Sequence, residues 1–337
     1  MHFLITGHTG FKGTWLSLML WEMGYEVSGI SLRPEPLSLF DQLRIEEKFL
    51  HNIHLDIRSR GKLQDQVAVI KPDVIIHLAA QSLVRKSYRE PILTYETNFN
   101  GTLNILSAAS TVSSVKSQLI ITTDKVYKNE GQHHAFNETD PLGGEDPYST
   151  SKALADVLTQ TWMKNNQKPT TAIARAGNVI GGGDVCEDRL VPDLVRAYSS
   201  GIIPNLRFPH SVRPWQHVLD CLNGYVTLIE NMLQKQVGGI WNFGPNNEEL
   251  VSVETFAEKM AKTWGAHFEW NLVGDQGMKE TPFLALNSKK SQELLAWKNK
   301  YDTSEAISTT VEWYKRILAG ESAEKVTLNQ IRKFLDI

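Results

Sequence analysis

Two kinds of apolar pattern alternate along the first half of the chain. Short runs rich in β-branched residues recur, and the longer stretches between them carry apolar residues at helical spacing. This alternation is typical of a parallel sheet whose crossover helices cover its faces. The pattern predicts strands at His2–Thr6, Glu26–Ser31, Ile53–Leu55, Val74–Leu78, Leu119–Thr123 and Thr171–Ala174. It predicts helices that begin near Phe11, Gly61, Pro91 and Tyr148.

The pattern becomes irregular beyond Gly181, where prolines interrupt it and helices such as Val253–Trp264 mix with short strands. The stretch Ser304–Leu318 has helical spacing and is predicted to pack as a final amphipathic helix. We therefore predict an α/β fold with a doubly wound parallel sheet over residues 1–178 and a smaller mixed α/β lobe over residues 179–337. Some segments near residues 214–245 are expected to return to the first domain.

A glycine-rich turn follows the first strand and opens the first helix. The segment Thr6–Gly13 has its glycines at G-x-x-G-x-x-G spacing. Glycine permits a tight turn and a close approach to a pyrophosphate, and the helix N-terminus offers free N–H groups to the anion. A plain strand-to-helix turn is the structural alternative, but the position at the start of a β/α chain favours a Rossmann-type dinucleotide site. The residues expected to contact the dinucleotide are Gly7, Thr9, Gly10, Phe11, Lys12 and Gly13.

The end of the second strand carries no acidic residue, and Arg33 stands there instead. An acid at this place would hold the ribose 2′-hydroxyl of NAD, whereas an arginine meets the 2′-phosphate of NADP, so this feature alone favours NADP. A solvent-facing arginine is the alternative. Further contacts with the adenine and along the cofactor are expected from Asp56, Ile57, Leu78, Ala79 and Ala80.

Tyr148 and Lys152 stand four residues apart, which places a phenol and an ammonium on one helix face. A nearby cation favours the phenolate, so we expect Lys152 to lower the pKa of Tyr148 and allow it to take a proton from a hydroxyl group. A surface helix pair has the same spacing. The glycine loop upstream and Thr123 at the end of the fifth strand make the catalytic interpretation the stronger one.

With these residues in place, the sequence resembles the extended short-chain dehydrogenase/reductase family over nearly its whole length. Thr123, Tyr148 and Lys152 match the catalytic threonine, tyrosine and lysine of that family. The likeness is strongest to its branch of sugar-nucleotide 4,6-dehydratases that act on CDP-glucose. The strings that carry this likeness are Thr6–Gly13, Thr123–Tyr127, Asp140–Gly144, Ala176–Asp184 and Arg213–Val218. The resemblance implies NAD as the cofactor, which conflicts with the Arg33 cue.

The resemblance implies a reaction in three stages. Hydride leaves sugar carbon 4, water is lost across carbons 5 and 6, and the hydride returns to carbon 6. Tyr148 would be the base on the 4-hydroxyl with Thr123 hydrogen-bonded to it, and Lys152 would hold the nicotinamide ribose. Asp124 would be the acid on the departing 6-hydroxyl. Many related dehydratases follow it with a glutamate base, but Lys125 stands here, and the identity of the carbon-5 base stays open.

Candidate substrate contacts lie mainly in the second half of the chain. Arg213 is the best anchor for a nucleotide diphosphate because a guanidinium binds phosphate in a fork. Asn178 and Arg189 are secondary candidates, each with a structural hydrogen bond or a surface charge as the alternative. Two further substrate contacts are predicted: Gln81, just after the fourth strand, and His217, in the C-terminal substrate lobe. Asn98 matches a family asparagine that supports the active site, and a structural asparagine within the helix is its alternative.

Composition and charge exclude several classes of protein. The formal net charge of -3 offers no overall attraction for nucleic acid or an anionic membrane, and no apolar segment is long enough to span one. We expect no metal, because His133 and His134 are adjacent in a polar loop and adjacent side chains rarely converge on one ion. The two cysteines, Cys186 and Cys221, fit a reducing cytoplasm, although a disulfide between them stays open. No signal peptide is expected, because the strand pattern starts almost at the first residue.

The resemblance further implies a homodimer or a dimer of dimers, and a role in deoxysugar biosynthesis for the lipopolysaccharide O-antigen. Two rival functions remain. An epimerase or 4-reductase on the same fold would share Tyr148 and Lys152 but would need no acid at Asp124. A non-catalytic dinucleotide-sensing regulator could keep the glycine loop but would have no use for Thr123, Tyr148 and Lys152 together.

Overall fold

The computed structural model describes residues 1–131, 133–246, 250–274 and 281–337 of the chain. Its strands are β1 His2–Thr6, β2 Glu26–Ser31, β3 Asn52–His54, β4 Val74–His77, β5 Ser117–Thr123, β6 Ala135–Phe136, β7 Thr170–Ala176, β8 Val179–Ile180, β9 Asn205–Leu206, β10 Val212–Arg213, β11 Gln216–His217, β12 Gly239–Phe243, β13 Val251–Ser252, β14 Asn271–Leu272 and β15 Ala285–Leu286.

The α-helices are α1 Phe11–Glu22, α2 Leu39–Leu43, α3 Arg60–Ile70, α4 Val84–Arg89, α5 Pro91–Tyr95, α6 Gly101–Ser110, α7 Pro147–Asn165, α8 Leu190–Ser199, α9 Val218–Lys235, α10 Val253–Trp264, α11 Lys289–Leu295, α12 Thr303–Leu318 and α13 Ala323–Leu335. A π-helical turn, Glu96–Asn100, joins α5 to α6. Within the described residues no helix is both long enough and apolar enough to cross a membrane.

Seven parallel strands form the central sheet in the order β12-β7-β5-β4-β1-β2-β3. The chain starts in the middle at β1, winds outward to β3, and then crosses back to β4 and winds outward to β12. The strand order therefore reverses between β1 and β4, and a crevice opens there at the carboxyl ends of the strands. The predicted doubly wound parallel sheet is confirmed.

Burial on both faces explains the composition of the sheet. All seven residues of β5 are buried, as are all four of β4, and each strand has an apolar run, Leu119–Ile121 in β5 and Val74–Ile76 in β4. On one face α1 packs against α9 and α13. On the other face α3 packs against α6, and α6 packs against α7. Trp15 and Leu16 of α1 are fully buried because this helix is covered by the sheet on one side and by helices on the other.

The second half of the chain differs from the predicted elements in two features. β12 pairs with β7 over Gly239–Phe243 and extends the central sheet; it lies within the segments near residues 214–245 that were expected to return to the first domain, although no strand was predicted there. The prediction that Ser304–Leu318 is the final helix is wrong, because α13 follows it and packs on α1, α2 and α12. Its buried residues Val326, Ile331 and Phe334 are spread among charged ones, so the helix is polar on average and was overlooked.

Candidate active site

In the glycine loop, backbone segments approach each other so closely that two of the glycines leave no room for a side chain. Gly7 has φ +80°, and a Cβ atom on it would lie 2.8 Å from the Ala79 nitrogen. A Cβ on Gly13 would lie 2.1 Å from the Gly7 oxygen, so neither position accepts a side chain without movement. Gly10 is the N-cap of α1, and neither a capping side chain nor an acidic residue occupies the first turn of that helix. The N–H groups and the positive end of the helix dipole therefore suit an anionic pyrophosphate.

The segment after β4 lies directly under this loop. Leu78 donates its N–H to the Thr6 oxygen at 3.0 Å, and Ala79 is the residue that a side chain at Gly7 would strike. This places Leu78, Ala79 and the following Ala80 along the path expected for the cofactor. Thr9 hydrogen-bonds Ser31 at 2.8 Å and thereby ties the loop to the end of β2.

The adenine end of the expected cofactor path is polar and open. Arg33 is exposed, so its position decides nothing between NAD and NADP. The Asp56 carboxylate receives hydrogen bonds from Arg58, which lower the Asp56 pKa, and Arg58 also pairs with Glu96 at 3.0 Å. Ile57 is buried and packs against Gly101 of α6. A Cβ atom added to Gly101 would lie 2.4 Å from the Ile57 side chain.

Three predicted catalytic residues come together at the end of β5 and the start of α7. Thr123 and Tyr148 line the same cavity, and the Thr123 hydroxyl donates to Asp124 Oδ1 at 2.9 Å. Lys152 lies one turn further along α7 and donates to the Ile121 oxygen at 2.8 Å. Asp146 caps α7 by accepting from the Ser149 N–H at 2.9 Å, and Pro147 occupies its first turn. The start of the helix that carries Tyr148 is therefore fixed by its own sequence.

The pKa values of this group differ from the expectation. Burial raises the pKa of Tyr148 to about 12, and the hydrogen bond from Thr123 opposes that rise. Burial lowers the pKa of Lys152 to about 7, helped by the neighbouring charge of Lys12. The predicted lowering of the Tyr148 pKa by Lys152 is therefore wrong for the protein chain alone. Desolvation of the phenolate outweighs the favourable charge.

Asp124 is a buried acid that faces the same space. It is 2% exposed, and burial raises its pKa, against the opposing effects of Lys125, Thr123 and Arg213. Its Oδ2 atom makes no hydrogen bond within the described part of the chain. A carboxyl group in this environment favours its protonated form, which is the form that a general acid requires.

Thr123, Asp124 and Tyr148 line a cavity of about 380 Å³ that three of the predicted substrate residues also reach. Lys12, Thr123, Asp124, Lys125 and Tyr148 form one wall. The remaining wall includes the predicted residues Asn178, Arg189 and Arg213. Arg213 is 5% exposed and donates to the Val212 oxygen at 2.7 Å. Arg189 pairs with Asp184 at 2.8 Å and not with its neighbour Asp188.

Three predicted residues lie away from the cavity wall. The Gln81 amide donates to the Leu83 oxygen and to Thr94, so both of its hydrogens are used within the protein. His217 is fully buried as the N-cap of α9, and burial lowers its pKa to about 3. Asn98, in the π-helical turn, accepts from the Gln81 N–H and donates to the Gln81 oxygen and to Ser151 of α7. Asn98 thus holds the strand end and the catalytic helix together.

Sequence reasoning missed a set of charged residues at the same cavity. Asp188 Oδ1 accepts from Arg207 at 2.7 Å and from Arg85 at 3.3 Å, and all three residues line the cavity. Arg85 belongs to α4 and Arg207 follows β9, more than a hundred residues apart in the chain. No sequence pattern identified these residues. The unusual backbone of Asp188, with φ of 62°, is a property of the structure.

Among the described residues, no group of three or more potential metal ligands is found. His133 and His134 are exposed, and His134 pairs with Asp140 at 2.7 Å. Both cysteines are free thiols.

Comparison with known proteins shows sequence similarity over most of the chain. The sequence model of a family described as GDP-mannose 4,6 dehydratase matches residues 4–310. A CDP-glucose 4,6-dehydratase from Salmonella typhimurium is 39% identical over 328 residues, which are 94% of this chain and 91% of that protein. A dTDP-glucose 4,6-dehydratase from Escherichia coli K12 is 27% identical over 285 residues, which are 77% of each chain.

Solved structures show the same fold. A dTDP-glucose 4,6-dehydratase from Bacillus anthracis in complex with NAD is 25% identical with a TM-score of 0.81, covering 94% of this chain and 97% of that chain. A UDP-glucose 4-epimerase from Thermus thermophilus in complex with NAD has a TM-score of 0.81 at 22% identity, with coverage of 94% and 99%. Because dehydratases and epimerases share this fold, the fold alone does not separate the two activities.

Proposed function

The chain belongs to the GDP-mannose 4,6 dehydratase family, and from that premise we propose that it is an NAD-dependent CDP-glucose 4,6-dehydratase, a lyase. The observation that carries the proposal is the buried Asp124 carboxyl beside Thr123 and Tyr148 in one cavity. The choice of CDP-glucose is supported by 39% identity to the Salmonella typhimurium enzyme over 94% of the chain. The product is CDP-4-keto-6-deoxyglucose, together with water.

The first stage requires a base at the sugar 4-hydroxyl. Tyr148 supplies it as a phenolate, Thr123 lines the same cavity wall, and Lys152 lies one helical turn away on α7. NAD, when bound, is the acceptor and later the donor of the hydride, and its oxidised ring adds a positive charge that favours the phenolate. The glycine loop and the segment Leu78–Ala80 fit this cofactor, because any side chain at Gly7 or Gly13 would block the backbone approach.

The second stage requires an acid at the sugar 6-hydroxyl and a base at carbon 5. A 4-keto group acidifies the carbon-5 hydrogen, but hydroxide leaves poorly unless it is protonated. Asp124 supplies this proton, because burial raises its pKa and so favours the protonated carboxyl group. Lys125 lines the same cavity and is placed to stabilise the enolate as a cation or to take the carbon-5 proton.

The substrate diphosphate is proposed to lie against Arg213, with Arg189 and Asn178 beside it. Four arginines reach the cavity wall, namely Arg85, Arg189, Arg207 and Arg213. Asp184 and Asp188 partly compensate three of these charges. With Lys12 and Lys125 added, the cations of the wall still outnumber its aspartates, which favours an anionic ligand there despite the overall charge of -3. Arg213 is the principal anchor, because it is buried beside the acid Asp124.

Two alternatives predict different chemistry. An epimerase or 4-reductase has the same tyrosine and lysine but gains nothing from a buried acid such as Asp124. A dinucleotide-sensing regulator has no need for Thr123 and Tyr148 together in a substrate-sized cavity. The geometry of Asp124 therefore favours dehydration over both.

The test is an assay of the purified protein with NAD and a panel of CDP-, dTDP-, GDP- and UDP-sugars, with the products identified by mass spectrometry. We expect loss of water from CDP-glucose without net consumption of NAD, since the hydride is returned. Stoichiometric release of NADH would contradict internal return, and a product of unchanged mass would favour an epimerase. Because no acid follows β2, we also expect NAD to exchange freely, so protein purified with fully bound, non-exchanging NAD would contradict this part.

We further propose that residues 1–178 bind the cofactor and that residues 179–337 mainly bind the substrate. Within the second range, α9 and β12 belong to the cofactor-binding domain.

A homodimer or dimer of dimers is proposed from the resemblance. Leu154 and Val157 of α7 are 43% and 47% exposed, and they form an apolar surface that fits a subunit contact. Cytoplasmic deoxysugar biosynthesis for the O-antigen completes the proposal. Light scattering of the purified protein tests the oligomeric state.

A further inference from the structure

A single carboxylate joins two arginines from distant parts of the fold at the cavity. Arg85 belongs to α4, which follows the central strand β4, and Arg207 follows β9 in the second half of the chain. Asp188 Oδ1 accepts from Arg207 at 2.7 Å and pairs with Arg85 at 3.3 Å. Arg207 also donates to the main-chain oxygen of Asp188 at 3.1 Å. All three residues line the cavity, so Asp188 bridges two segments of its wall.

A second contact reinforces this bridge. Arg189, the next residue in the chain, donates to the Ser82 hydroxyl at 2.9 Å. The segment before α8 therefore reaches residues 82–85 through two successive side chains. Helix α4 is itself tied to the helix that carries the proposed base, because the Tyr148 N–H donates to the Ser87 hydroxyl oxygen at 3.1 Å. The bridge thus connects the C-terminal substrate lobe to the start of α7.

The exposure of the bridge distinguishes it from the proposed acid. The side chains of Arg85, Asp188 and Arg207 are 26–33% exposed, whereas Asp124 is 2% exposed. The bridge therefore lies nearer the opening of the cavity, and Asp124 lies further inside. Ion pairs of this exposure compete with water and are individually weak, so they can separate and form again as ligands pass.

The proposed reaction requires that one sugar stay bound through all three stages. After oxidation the sugar is a 4-keto compound, and the cofactor carries its hydride. A sugar that leaves at this point takes no hydride with it, so the reduced cofactor is stranded and the next turnover cannot start. The site therefore has to hold this intermediate more firmly than it needs to hold substrate or product.

We propose that Asp188 is a positioning residue that holds Arg85 and Arg207 together as a clamp over the opening of the cavity, so that the 4-keto intermediate is retained until hydride returns to carbon 6. The pairs open to admit the nucleotide sugar and form again behind it. Two arginines and one carboxylate leave one net positive charge, which favours closure beside the anionic diphosphate. The clamp makes and breaks no covalent bond, and the inference rests on the proposed dehydratase activity.

The test variant is Asp188→Asn, which removes the charge that both arginines share. Asp188 has φ of 62°, a left-handed conformation that asparagine also adopts, so the substitution adds no backbone strain. The matched control is Asp73→Asn, which changes a carboxylate of similar exposure. Asp73 precedes β4 and pairs with Lys116 at 2.7 Å at the amino ends of the strands, away from the cavity.

The measurement counts the intermediates that escape. Each protein is incubated with NAD and CDP-glucose, and the small molecules are separated from it by ultrafiltration. Mass spectrometry of the filtrate counts the product and the 4-keto sugar that still carries its 6-hydroxyl, and absorbance counts the NADH formed. Each escaped sugar leaves one hydride on the cofactor, so the counts of escaped sugar and of NADH should agree.

We expect Asp188→Asn to release the 4-keto intermediate about three- to thirtyfold more often per turnover than the wild-type protein, as for the loss of two partly exposed ion pairs. NADH should accumulate in equal amount, and dehydration should decline over successive turnovers. Raising the ionic strength from about 0.1 M to about 1 M should increase escape from the wild type but not from the variant, because salt screens the pairs. Asp73→Asn should behave like the wild type in each respect.

A double variant tests whether Arg85 acts through Asp188. Asp188→Asn combined with Arg85→Gln should release no more intermediate than Asp188→Asn alone, because the same pair is already lost. Additive release would show that Arg85 holds the substrate independently and would overturn the clamp. Slower turnover of Asp188→Asn without escaped sugar or extra NADH would overturn it as well, since a purely structural role has that effect.

If Asp188→Asn does not fold, as judged by thermal melting, Arg207→Gln is tested with the same counts and the same expected result. A wild-type protein that does not dehydrate CDP-glucose would instead refute the proposed function, so the two failures are distinct.

Discussion

Asp124, which is buried, and Tyr148, which is partly buried, are two acids of one cavity that start a turnover of the proposed reaction in opposite protonation states. Asp124 has to be neutral and Tyr148 ionised, although burial opposes ionisation of both. Burial raises the Asp124 pKa and so favours its neutral form. Tyr148 requires positive charge nearby, from Lys152 and from the cofactor.

The first prediction concerns Asp124→Asn, which keeps the side-chain shape but has no proton to donate. Oxidation at carbon 4 should survive, whereas loss of water should slow by roughly 10²–10⁴. In a single turnover, enzyme-bound NADH and a 4-keto sugar that still carries its 6-hydroxyl should accumulate, as measured by absorbance and mass spectrometry. Absence of NADH, or unchanged dehydration, would remove Asp124 from the elimination step and favour the epimerase or reductase.

The second prediction concerns Tyr148→Phe, which removes the base and keeps the ring. Oxidation itself should fall by roughly 10²–10⁴, so no NADH should accumulate, in contrast to Asp124→Asn. Binding of CDP-glucose, measured by calorimetry, should change little because the ring still fills its place. Near-normal turnover would show that Tyr148 is not the base.

The third prediction concerns Lys125→Met, which decides between the two roles of Lys125. If the ammonium group stabilises the enolate, exchange of the carbon-5 proton with heavy water should slow but persist. If Lys125 is the base itself, exchange should vanish. Exchange at the wild-type rate would exclude Lys125 from both roles.

At the scale of elements, the turn between β1 and α1 depends on contacts that leave no room for a Cβ atom. The fourth prediction compares Gly13→Ala with Gly61→Ala. A Cβ on Gly13 would lie 2.1 Å from the Gly7 oxygen, while a Cβ on Gly61, in α3, meets nothing within 4 Å. Gly13→Ala should therefore weaken NAD binding at least about tenfold and lower the melting temperature.

The control, Gly61→Ala, should keep NAD affinity and gain about 0.4–1 kcal/mol of stability, because alanine restricts the unfolded chain. Titration calorimetry measures the affinity and thermal melting the stability. Equal NAD affinity in the two variants would mean that the tight turn is not required for the cofactor.

At the scale of the whole molecule, α9 connects the sheet to the C-terminal helices through a buried carboxylate. Asp220 is fully buried, accepts from the Lys300 N–H at 2.6 Å and from the Tyr301 N–H at 3.3 Å, and burial raises its pKa to about 7. Its folded pKa is thus above the unfolded value of about 3.8. The folded state holds a proton between these values, so Asp220 makes stability fall as pH rises through that window.

The fifth prediction is that Asp220→Asn flattens this pH dependence. The wild-type free energy of unfolding, measured with urea, should fall between pH 5 and pH 8 by more than that of Asp220→Asn. The control is Asp65→Asn, which changes an exposed carboxylate of α3 and should leave the wild-type pH dependence intact. The same slope in all three proteins would contradict the assignment to Asp220.

The sequence by itself determined the central architecture and the short-range chemistry. β1 and β2 have the predicted bounds, and helices begin within a residue of the predicted Phe11, Gly61, Pro91 and Tyr148. The glycine loop, the pair Tyr148 and Lys152, and Asp124 beside Thr123 could be predicted because each depends on residues near one another in the chain. Backbone propensity, helix periodicity and strand alternation act over this same short range.

Only the tertiary structure decided which distant side chains share the cavity and in which protonation state. Arg207 and Arg85 meet at Asp188 because separate segments pack together, whereas Gln81 and His217 are held by internal hydrogen bonds away from the cavity. Strand β12 forms the edge of the sheet by pairing with β7, although a long stretch of chain separates these two strands in the sequence. The raised pKa values of Tyr148 and Asp124 arise from desolvation, which depends on everything that surrounds a group and not on its neighbours in sequence.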